Sequence, residues 1–294
     1  TPKPSSAASD VYKRQVHAGS YNETLAKSLT ALRAGQGPHV AVLLASDIFQ
    51  LVDEDAIVAI EDLATTPADR EWLDGFIPAL MSNGHHAGRR WSVPFQRSTV
   101  VLYWNKAAFA QAGLDPEAPP GTWNEMVEVA SRLVQRDAAG RVQRWGVQVP
   151  SSAFPYALFQ CFAEQAGARL ADEDGLRTHL DTPEATRALQ FWVDLSRRHA
   201  VHPPGIVDWG TTPTDFLLGK VAMAWVTTGN LAHIAANARF PFGVAMLPAD
   251  VRRGSVPGGG NLYVFRHSSP AEREAALRFA RFLTSPERAA QWSI

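Results

Sequence analysis

Apolar residues recur along the chain with two different spacings, and segments of the two kinds alternate. Leu25, Leu29 and Leu32 follow one another at helical spacing, and Gly35 ends this pattern. The continuous apolar run HVAVLLA follows at 39–45, and such a run is typical of a buried parallel strand. A helix followed by a buried strand predicts an α/β layer near the start of the chain.

Two later segments carry the sequence signals of helix starts. In TWNEMVEVASRLV, Thr122 stands three residues ahead of Glu125, which is the spacing of a capping box, and apolar residues follow at helical spacing. In DTPEATRALQFWVDL, Pro183 stands in the first turn. Short apolar runs flanked by Gly, Pro or Asn are interpreted as strands, namely STVVLYW, WGVQV, VAMAWV, FGVAML and NLYVF. The alternation predicts an α/β fold with mixed sheets flanked by helices.

The chain is long enough for two lobes but carries no linker that would separate them. It has 294 residues, 46% of them hydrophobic, and neither a repeat of fixed period nor a low-complexity segment. The lobes must therefore share several chain crossings, and we predict one lobe at 16–105 plus 250–294 and the other at 106–249. The polar cluster FQRST, at 95–99, stands directly before an apolar run, which is typical of a chain that passes through a hinge beside a ligand cleft.

The two ends of the sequence differ from the rest. The opening TPKPSSAASDVYKRQ is polar and aperiodic, and we expect residues 1–15 to be a non-native tail. The final TSPERAAQWSI stops inside a predicted helix that Ser285 and Pro286 would begin. No apolar segment reaches the roughly 18 residues that span a bilayer, and the start has no signal-peptide pattern. We therefore expect the chain to be truncated at both ends.

Charge and cysteine usage narrow the classes of partner. The formal net charge is -1, which removes the electrostatic reason to expect nucleic acid or an anionic membrane surface as the main partner. A small-molecule ligand is more compatible with this near-neutral net charge. The single cysteine, Cys161, excludes an internal disulfide and a multi-cysteine zinc site, and we expect it to be a small buried apolar residue.

The motifs of several enzyme classes are missing from the sequence. It contains no Gly-x-Ser-x-Gly and no His-Glu-x-x-His, and LLGKV has Val221 where a phosphate-binding loop requires Ser or Thr. His85 with His86, and the segment HAVH at 199–202, stand near turns without a neighbouring carboxylate partner. We therefore predict no catalytic site, no metal site and no cofactor.

Features that suit ligand binding are more frequent than catalytic ones. Three polar clusters, FQRST, VTTGN and GGGN, each stand at the end of an apolar strand, and consecutive glycines allow backbone N–H groups to point at a ligand. Tryptophans also recur near turns or strand ends, where an indole face either stacks on a sugar or packs in the core. These tryptophans are Trp91, Trp104, Trp123, Trp209 and Trp225.

Several long segments resemble one known family. The segment VPFQRSTVVLYWNKAAFAQAGLDPEAPPGTWNEMVEVASRL closely resembles the hinge region of the extracellular solute-binding proteins of ATP-binding-cassette importers, in their glycerol-3-phosphate branch. The resemblance continues through GSYNETLAKSLTALRAGQGP, LLGKVAMAWVTTGNLAHI, FGVAMLP, GGGNLYVF and RFLTSPERAAQW, and covers nearly everything after residue 15. It implies a two-lobed periplasmic binding protein fold of type II, with its carboxy-terminal part missing and a ligand cleft at the hinge. It also implies a periplasmic or extracellular location, where a membrane permease would recognise the closed, ligand-bound form.

The resemblance further implies which residues contact the ligand. An acidic contact of the glycerol-3-phosphate branch falls at Ala45 in this chain, and Asp47 would substitute for it with a local shift. A late tyrosine and arginine of the branch would fall beyond Ile294. The positions that match ligand contacts of the branch are Tyr21, Ser98, Thr227 and Gly259.

The predicted site draws on both lobes and on the hinge. A guanidinium at Arg97 would either face the cleft and bind a phosphate through charge-assisted hydrogen bonds or point to solvent. The full set is Tyr21, Asp47 and Gly259 from the first lobe, Arg97 and Ser98 from the hinge side, and Thr227, Thr228 and Tyr156 from the second lobe or the crossing strands.

We predict a substrate-binding protein, not an enzyme, that captures a glycerol-3-phosphate-like polyol phosphate as a monomer and delivers it to the permease. The first alternative is the same fold binding a neutral sugar or oligosaccharide, because related scaffolds take both kinds of ligand. A more distant alternative is a carbohydrate-active hydrolase that uses Asp47 and Asp208 as its two carboxylates. A scaffold without any ligand is the last alternative, and it predicts that no polyol or sugar changes the thermal stability.

Overall fold

The computed structural model describes residues 18–172 and 176–292, so the predicted tail at 1–15 lies outside the described residues. The helices of the described residues are α1 (Tyr21–Arg33), α2 (Ile48–Asp53), α3 (Ile60–Leu63), α4 (Pro67–Asp74), α5 (Pro78–Met81), α6 (Lys106–Gln111), α7 (Trp123–Leu133), α8 (Pro155–Gln165), α9 (Pro183–Arg197), α10 (Thr212–Leu217), α11 (Leu231–Asn237), α12 (Pro270–Leu283) and α13 (Pro286–Trp292). The strands are β1 (Val40–Leu44), β2 (Ile57–Val58), β3 (His85–His86), β4 (Arg89–Arg90), β5 (Val93–Asn105), β6 (Gln135–Arg136), β7 (Val142–Gln148), β8 (Val221–Thr227), β9 (Phe242–Ala245) and β10 (Pro257–Phe265).

Local sequence signals account for where several helices begin. At the start of α7, the Glu125 N–H donates to the Thr122 hydroxyl and the Thr122 N–H donates to the Glu125 carboxylate, both at 3.2 Å. The capping box predicted from this spacing is therefore confirmed. Ser20 and Glu23 form the same reciprocal pair at the start of α1. Pro183 is the first residue of α9, where the N–H that proline lacks would have had no helical partner.

The described chain forms two compact units, and each crossing between them lies inside a strand. The first unit comprises 18–96 and 259–292, and the second comprises the described residues of 97–258. The sequence prediction put the crossings at 105/106 and 249/250. The structure puts them within β5 and β10 instead, because each of these strands continues from one unit into the other.

The sheet of the first unit is built around β10. The strands β1 and β2 both pair with β10 in antiparallel orientation. Leu262 and Val264 of β10 pack with α12, whereas Tyr263 and Phe265 pack with α1 and α2 on the opposite face. The strand buried on both faces is therefore β10. The prediction of a buried parallel strand is wrong for β1. This strand pairs antiparallel with β10, and its residues other than Leu43 are half-buried because it stands at the end of the strand order.

The sheet of the second unit is mixed, as the sequence predicts. The strand β5 pairs antiparallel with β8 and β9, β7 pairs parallel with β8, and β6 pairs antiparallel with β7. Val100 of β5 stands opposite Thr227, the last residue of β8. Because β7 and β8 are parallel and β5 is antiparallel to β8, the start of β5 and the carboxyl ends of β7 and β8 lie at one edge of the sheet.

The core of the second unit packs on both faces of this sheet. Leu102 and Trp225 pack with helices α7, α8 and α9 on one face, whereas Tyr103 and Phe216 pack together on the other. Cys161 of α8 is fully buried, as predicted, and its burial raises the pKa of the thiol to about 11. Across the described parts of both units, no helix has the length and apolar character that crossing a membrane requires.

Candidate ligand-binding residues

Tyr21, the first residue of α1, lies against the backbone of β10. Its hydroxyl donates a hydrogen bond to the Oε1 atom of Gln96 at 3.3 Å. A Cβ atom at Gly260 would stand 3.0 Å from Tyr21 Cε1 and 2.7 Å from Val42 Cγ1. Since both neighbours already fill the space that a side chain needs, the ring of Tyr21 is held between Gln96 and the backbone of β10, and the residue is half-buried.

Gly259, the predicted backbone contact, precedes Gly260. Gly260 lacks space for a side chain, whereas Gly259 has a backbone conformation that requires glycine. Its φ is 102°, a conformation that L side chains rarely adopt. At Gly258, by contrast, a Cβ atom would meet nothing within 4 Å. The glycine cluster therefore combines a conformational requirement at 259 with a steric requirement at 260, and the ligand contact through Gly259 stays a prediction.

Asp47 follows β1 in a short 3-10 turn. Its Oδ2 atom accepts a hydrogen bond from the Leu44 N–H at 3.0 Å, and Leu44 stands opposite Gly260 in the ladder between β1 and β10. The carboxylate therefore lies at the end of the sheet that also carries Tyr21. Burial raises the pKa of Asp47 to about 6, although the hydrogen bond from Leu44 acts in the opposite direction. The group thus titrates close to neutral pH.

In the second unit, the structure brings Ser98, Thr227 and Thr228 together, and we call these three residues the hydroxyl cluster. The Thr99 N–H donates to the Thr228 hydroxyl at 3.3 Å, although these residues are 129 positions apart. A Cβ atom at Gly229 would stand 3.4 Å from Thr227 Oγ1 and 3.8 Å from Ser98 Cβ. The Thr227 hydroxyl and the Ser98 Cβ atom therefore lie next to Gly229, while the Thr228 hydroxyl is bonded to the backbone of β5.

The order of residues along β5 and β8 explains the hydroxyl cluster. The Thr227 hydroxyl donates to Asn230 Oδ1 at 3.2 Å, and the Thr227 carbonyl accepts from the Tyr103 hydroxyl at 3.1 Å. A 3-10 turn at Thr228–Asn230 follows β8 directly. The polar clusters FQRST and VTTGN, which the sequence predicts to bind ligand, therefore meet at the edge of one sheet.

Arg97 immediately precedes the hydroxyl cluster on β5. The residue is half-buried, and its Nε and Nη2 atoms are inaccessible to solvent. Successive side chains of a strand point to opposite faces, so Arg97 leaves β5 on the face opposite to Ser98. The orientation of Arg97 toward the cleft or toward solvent, and its contact with a phosphate, stay predictions.

Tyr156 belongs to a group of three aromatic side chains at the start of α8, which we call the aromatic group. The ring of Phe154 contacts Tyr156 with ring centroids 6.3 Å apart and Trp209 with ring centroids 5.4 Å apart, both edge to face. Tyr156 is 50% exposed, and Phe154 and Trp209 are half-buried. The aromatic group thus offers ring faces at the surface of the second unit.

Asp208, next to the aromatic group, is fixed by hydrogen bonds from the protein. Its Oδ1 atom accepts from the Thr211 N–H at 2.9 Å, and its Oδ2 atom accepts from the Ser152 hydroxyl at 3.0 Å. The hydrogen bonds from Thr211 and Ser152 lower the pKa of Asp208. A carboxylate stabilised as the anion is unsuited to the role of a general acid, which needs a raised pKa.

Most of the predicted tryptophan platforms belong to the core. Trp225 stacks on Phe162 with centroids 4.5 Å apart, and Trp123 stacks on Phe191 with centroids 4.1 Å apart. Because these faces are covered by other rings, they are closed to a sugar. The stacking alternative is wrong for Trp91, Trp104, Trp123 and Trp225, which are 8%, 6%, 5% and 0% exposed; Trp209, in the aromatic group, is half-buried.

Two of the histidines that the sequence singles out, His85 and His202, take part in hydrogen bonds with the backbone. The Val149 N–H donates to His202 Nε2 at 3.0 Å, and burial lowers the pKa of His202. His85 Nδ1 lies 3.0 Å from the carbonyl oxygen of Met81. Within residues 18–172 and 176–292, no group of three or more His, Cys, Asp or Glu side chains is arranged to hold a metal ion.

Several residues that shape these groups were not chosen from the sequence. Gln96 and Gly260 stand inside the motifs FQRST and GGGN. The sequence identified these motifs as ligand-binding segments but did not identify these two residues as candidates. Gly229 likewise stands inside VTTGN. Ser255, whose hydroxyl donates to the Val100 carbonyl at 2.7 Å and lies 2.8 Å from the Thr99 hydroxyl, carries no signal that would have marked it.

Two α/β units joined through two shared strands, with polar groups at the strand ends, define the class of two-lobed binding proteins that the sequence resemblance implies. The chain belongs to the bacterial extracellular solute-binding protein family, whose family model matches residues 6–294. The predicted family and fold class are thus confirmed, and the predicted periplasmic or extracellular location agrees with the family description.

Relatives and solved structures agree with this assignment. The chain is 29% identical to the sn-glycerol-3-phosphate-binding periplasmic protein UgpB of Pectobacterium atrosepticum, over 96% of this chain and 65% of that protein. It thus spans a little under two thirds of the length of that relative. UgpB from Mycobacterium tuberculosis in complex with glycerophosphocholine matches with a TM-score of 0.82 and 27% identity, over 95% of this chain and 68% of that one. A solute-binding protein of an ABC transporter from Thermotoga lettingae, bound with alpha-D-tagatose, matches with a TM-score of 0.79 and 26% identity, over 92% and 69%.

Proposed function

We propose that this protein binds a polyol phosphate that resembles glycerol-3-phosphate and delivers it to the membrane permease of an ABC importer. The observation that carries the proposal is the hydroxyl cluster beside Gly229. Arg97 precedes Ser98 on β5 and leaves the strand on the other face, so its contact with the phosphate is a separate part of the proposal, which the arginine variants below test. The names of the relatives support the same ligand class, since they include glycerol-3-phosphate-binding proteins and a complex with glycerophosphocholine.

The chemistry of the groups suits a phosphate attached to a polyol. Hydroxyls of the cluster donate to phosphate oxygens, and an arginine adds charge-assisted hydrogen bonds of fixed geometry. The aromatic ring of Tyr21 and the carboxylate of Asp47, both in the first unit, are groups that suit a polyol. We assign the phosphate to residues of the second unit.

A thermal-shift screen tests the ligand class directly. The ligands are glycerol-3-phosphate, glycerophosphocholine, maltose and tagatose. A ligand present at 100 times its Kd stabilises a native protein by about 2.7 kcal/mol, which raises the Tm of a chain of this size by roughly 5–10 °C. We expect such a rise with the two phosphorylated ligands only.

A matched pair of arginine variants shows whether the response depends on the proposed phosphate contact. Arg97→Gln removes the charge beside the hydroxyl cluster, and Arg136→Gln removes a charge from an exposed position of the same unit. We expect the first variant to lose most of the shift and the second to keep it. A full shift in Arg97→Gln, or a shift with the neutral sugars alone, would contradict the proposal.

A neutral sugar is the second candidate ligand. It is favoured by the similarity to the Thermotoga lettingae protein bound with alpha-D-tagatose and by the exposed ring of Tyr156, since aromatic faces stack on sugars. In the screen above, this candidate predicts a shift with maltose or tagatose that Arg97→Gln leaves unchanged.

We also propose that the protein is not a hydrolase. The support is that the matching family model describes solute-binding proteins and that the relatives are named as binding proteins. Incubation with maltose and with chromogenic glycosides, followed by detection of released sugar, tests this. Hydrolysis that disappears in Asp208→Asn would contradict the proposal.

A further inference from the structure

The residues directly before β10, 251–256, are bound to the end of α8, and we call them the return segment. The Val251 N–H donates to the Gln165 carbonyl at 3.0 Å, and the Gln165 Nε2 atom donates to the Gly254 carbonyl at 2.8 Å. Gln165 is fully buried, and its Oε1 atom accepts from the Trp123 indole N–H at 2.6 Å. A buried amide thus fixes the first part of the return segment on the core of the second unit.

Ser255 attaches the last part of the return segment to β5. Its hydroxyl donates to the Val100 carbonyl at 2.7 Å, and its oxygen lies 2.8 Å from the Thr99 hydroxyl oxygen. A hydroxyl has one proton. Because Ser255 directs its proton at Val100, Thr99 is the donor in the contact between the two hydroxyls. Ser255 therefore accepts from one residue of β5 and donates to the next.

Thr99, which Ser255 holds, also contacts the hydroxyl cluster. It directly follows Ser98, and its N–H donates to the Thr228 hydroxyl at 3.3 Å. A hydroxyl that accepts in this way still donates its own proton, which is the contact that a phosphate oxygen requires. The distance of 3.3 Å is at the long end for an N–H···O hydrogen bond, so the orientation of Thr228 is sensitive to the position of Thr99.

We propose that Ser255 is a positioning residue, which holds the hydroxyl cluster in its binding geometry through Thr99. The inference rests on the proposed function, because the cluster that Ser255 positions is the proposed phosphate site. Ser255 acts on the ligand only through β5. Its two hydrogen bonds join the return segment to the strand that carries Ser98.

Calorimetric titration with glycerol-3-phosphate compares the wild-type chain with Ser255→Ala, Ser255→Thr and Ser131→Ala. Ser255 is exposed, so the first two variants leave the core intact. Ser131 is the matched control, since it is an exposed serine of the same unit whose hydroxyl donates to the Val127 carbonyl at 2.7 Å. We expect Ser255→Ala to weaken binding about threefold to tenfold, and Ser255→Thr, which keeps the hydroxyl, to restore it. Ser131→Ala is expected to bind like wild type.

Cys161 provides a second readout that does not depend on the ligand. It is the only cysteine of the chain, it is fully buried, and its Sγ atom lies 3.9 Å from the Ser255 hydroxyl oxygen. Iodoacetamide therefore reaches the thiol only when the structure opens locally or globally. We expect Ser255→Ala to raise the labelling rate at least about threefold, and Ser131→Ala, with an equal Tm, to leave it unchanged.

The outcomes separate this inference from the proposed function. If the wild-type chain binds glycerol-3-phosphate and Ser255→Ala binds it equally well, the positioning role is wrong while the proposed function stands. Weak binding by both Ser255 variants would also overturn it, because the effect would then not depend on the hydroxyl. If wild type does not bind glycerol-3-phosphate, the proposed function fails and the positioning role fails with it. An unchanged labelling rate in Ser255→Ala would show that Ser255 does not hold the return segment on β5.

Discussion

Three consecutive glycines at 258–260 show how differently neighbouring residues of one type are constrained. Gly259 requires its positive φ, Gly260 lacks room for a Cβ atom, and Gly258 has open space around it. The sequence marks all three as a cluster suited to ligand binding. It does not distinguish them, because the atoms that exclude a side chain at Gly260 belong to Val42 and Tyr21, which are distant in the chain.

Gly260→Ala tests the packing of Tyr21 on β10. The added Cβ atom would stand 2.7 Å from Val42 Cγ1 and 3.0 Å from Tyr21 Cε1. Such overpacking costs about 1–3 kcal/mol of unfolding free energy, and displacement of Tyr21 is expected to weaken ligand binding as well. Gly258→Ala is the control for stability, and urea unfolding of the two variants measures the difference. Equal stability of the two would show that the contact around Gly260 is wrongly described.

The raised pKa of Asp47 predicts how the free energy of unfolding changes with pH. Its folded-state pKa, about 6, lies above the ordinary value of 3.8. The folded protein therefore binds this proton more tightly than the unfolded chain, so the stability it contributes is full below pH 3.8 and is lost as the pH rises through 6. Asp47→Asn keeps an acceptor for the Leu44 N–H but cannot titrate.

Thermal melts of wild type and Asp47→Asn between pH values of about 4 and 8 measure this effect. We expect the Tm of wild type to fall relative to that of the variant as the pH rises across this window. A Tm difference that does not vary with pH would contradict the assigned burial of Asp47.

At the scale of elements, local signals were predictable and long-range pairing was not. The capping box of α7 depends on Thr122 and Glu125, three positions apart, and so it was read directly from the sequence. The hydroxyl cluster depends on the pairing of β5 with β8, which brings Thr99 next to Thr228, 129 positions later in the chain. The sequence identified both polar segments, while their contact required the register of the sheet.

The tryptophans show that the sequence of one element does not reveal whether its side chains are buried. Trp123 and Trp225 stand next to turns or on short strands, which suits either a surface platform or a core position. The structure buries them because Phe191 and Phe162 come from α9 and α8 to cover their rings. Periodicity within one element does not contain that information, since the covering residues belong to other elements.

The turn after β8 provides a prediction for ligand binding that leaves the fold intact. Gly229 has an ordinary negative φ, and a Cβ atom there would make only van der Waals contacts with Thr227 and Ser98, at 3.4 and 3.8 Å. Gly229→Ala is therefore expected to change stability by less than about 1 kcal/mol. Its methyl group would occupy the space between the hydroxyls and reduce ligand affinity at least about tenfold.

Gly75→Ala is the control for this variant, because it adds a methyl group at another glycine of negative φ, at the end of α4. Titration calorimetry and thermal melts of both variants separate affinity from stability. Full affinity in Gly229→Ala would show that the ligand does not use the hydroxyl cluster.

At the scale of the whole molecule, the sequence resolved the fold class and the family but misplaced the crossings. Both crossings lie inside long strands, where the apolar pattern continues across the boundary between the units. A boundary without a linker leaves no compositional signal, so only the distribution of contacts reveals it. The family model matches residues 6–294 and therefore spans both units.

A calorimetric titration of this chain with glycerol-3-phosphate and, separately, with glycerol tests the proposed ligand class. We expect saturable binding of one glycerol-3-phosphate per chain, and an affinity for glycerol at least about a hundredfold weaker, because the charge-assisted contacts require the phosphate. Equal affinity for the two ligands, or binding of neither while maltose or tagatose binds, would contradict the proposed ligand class.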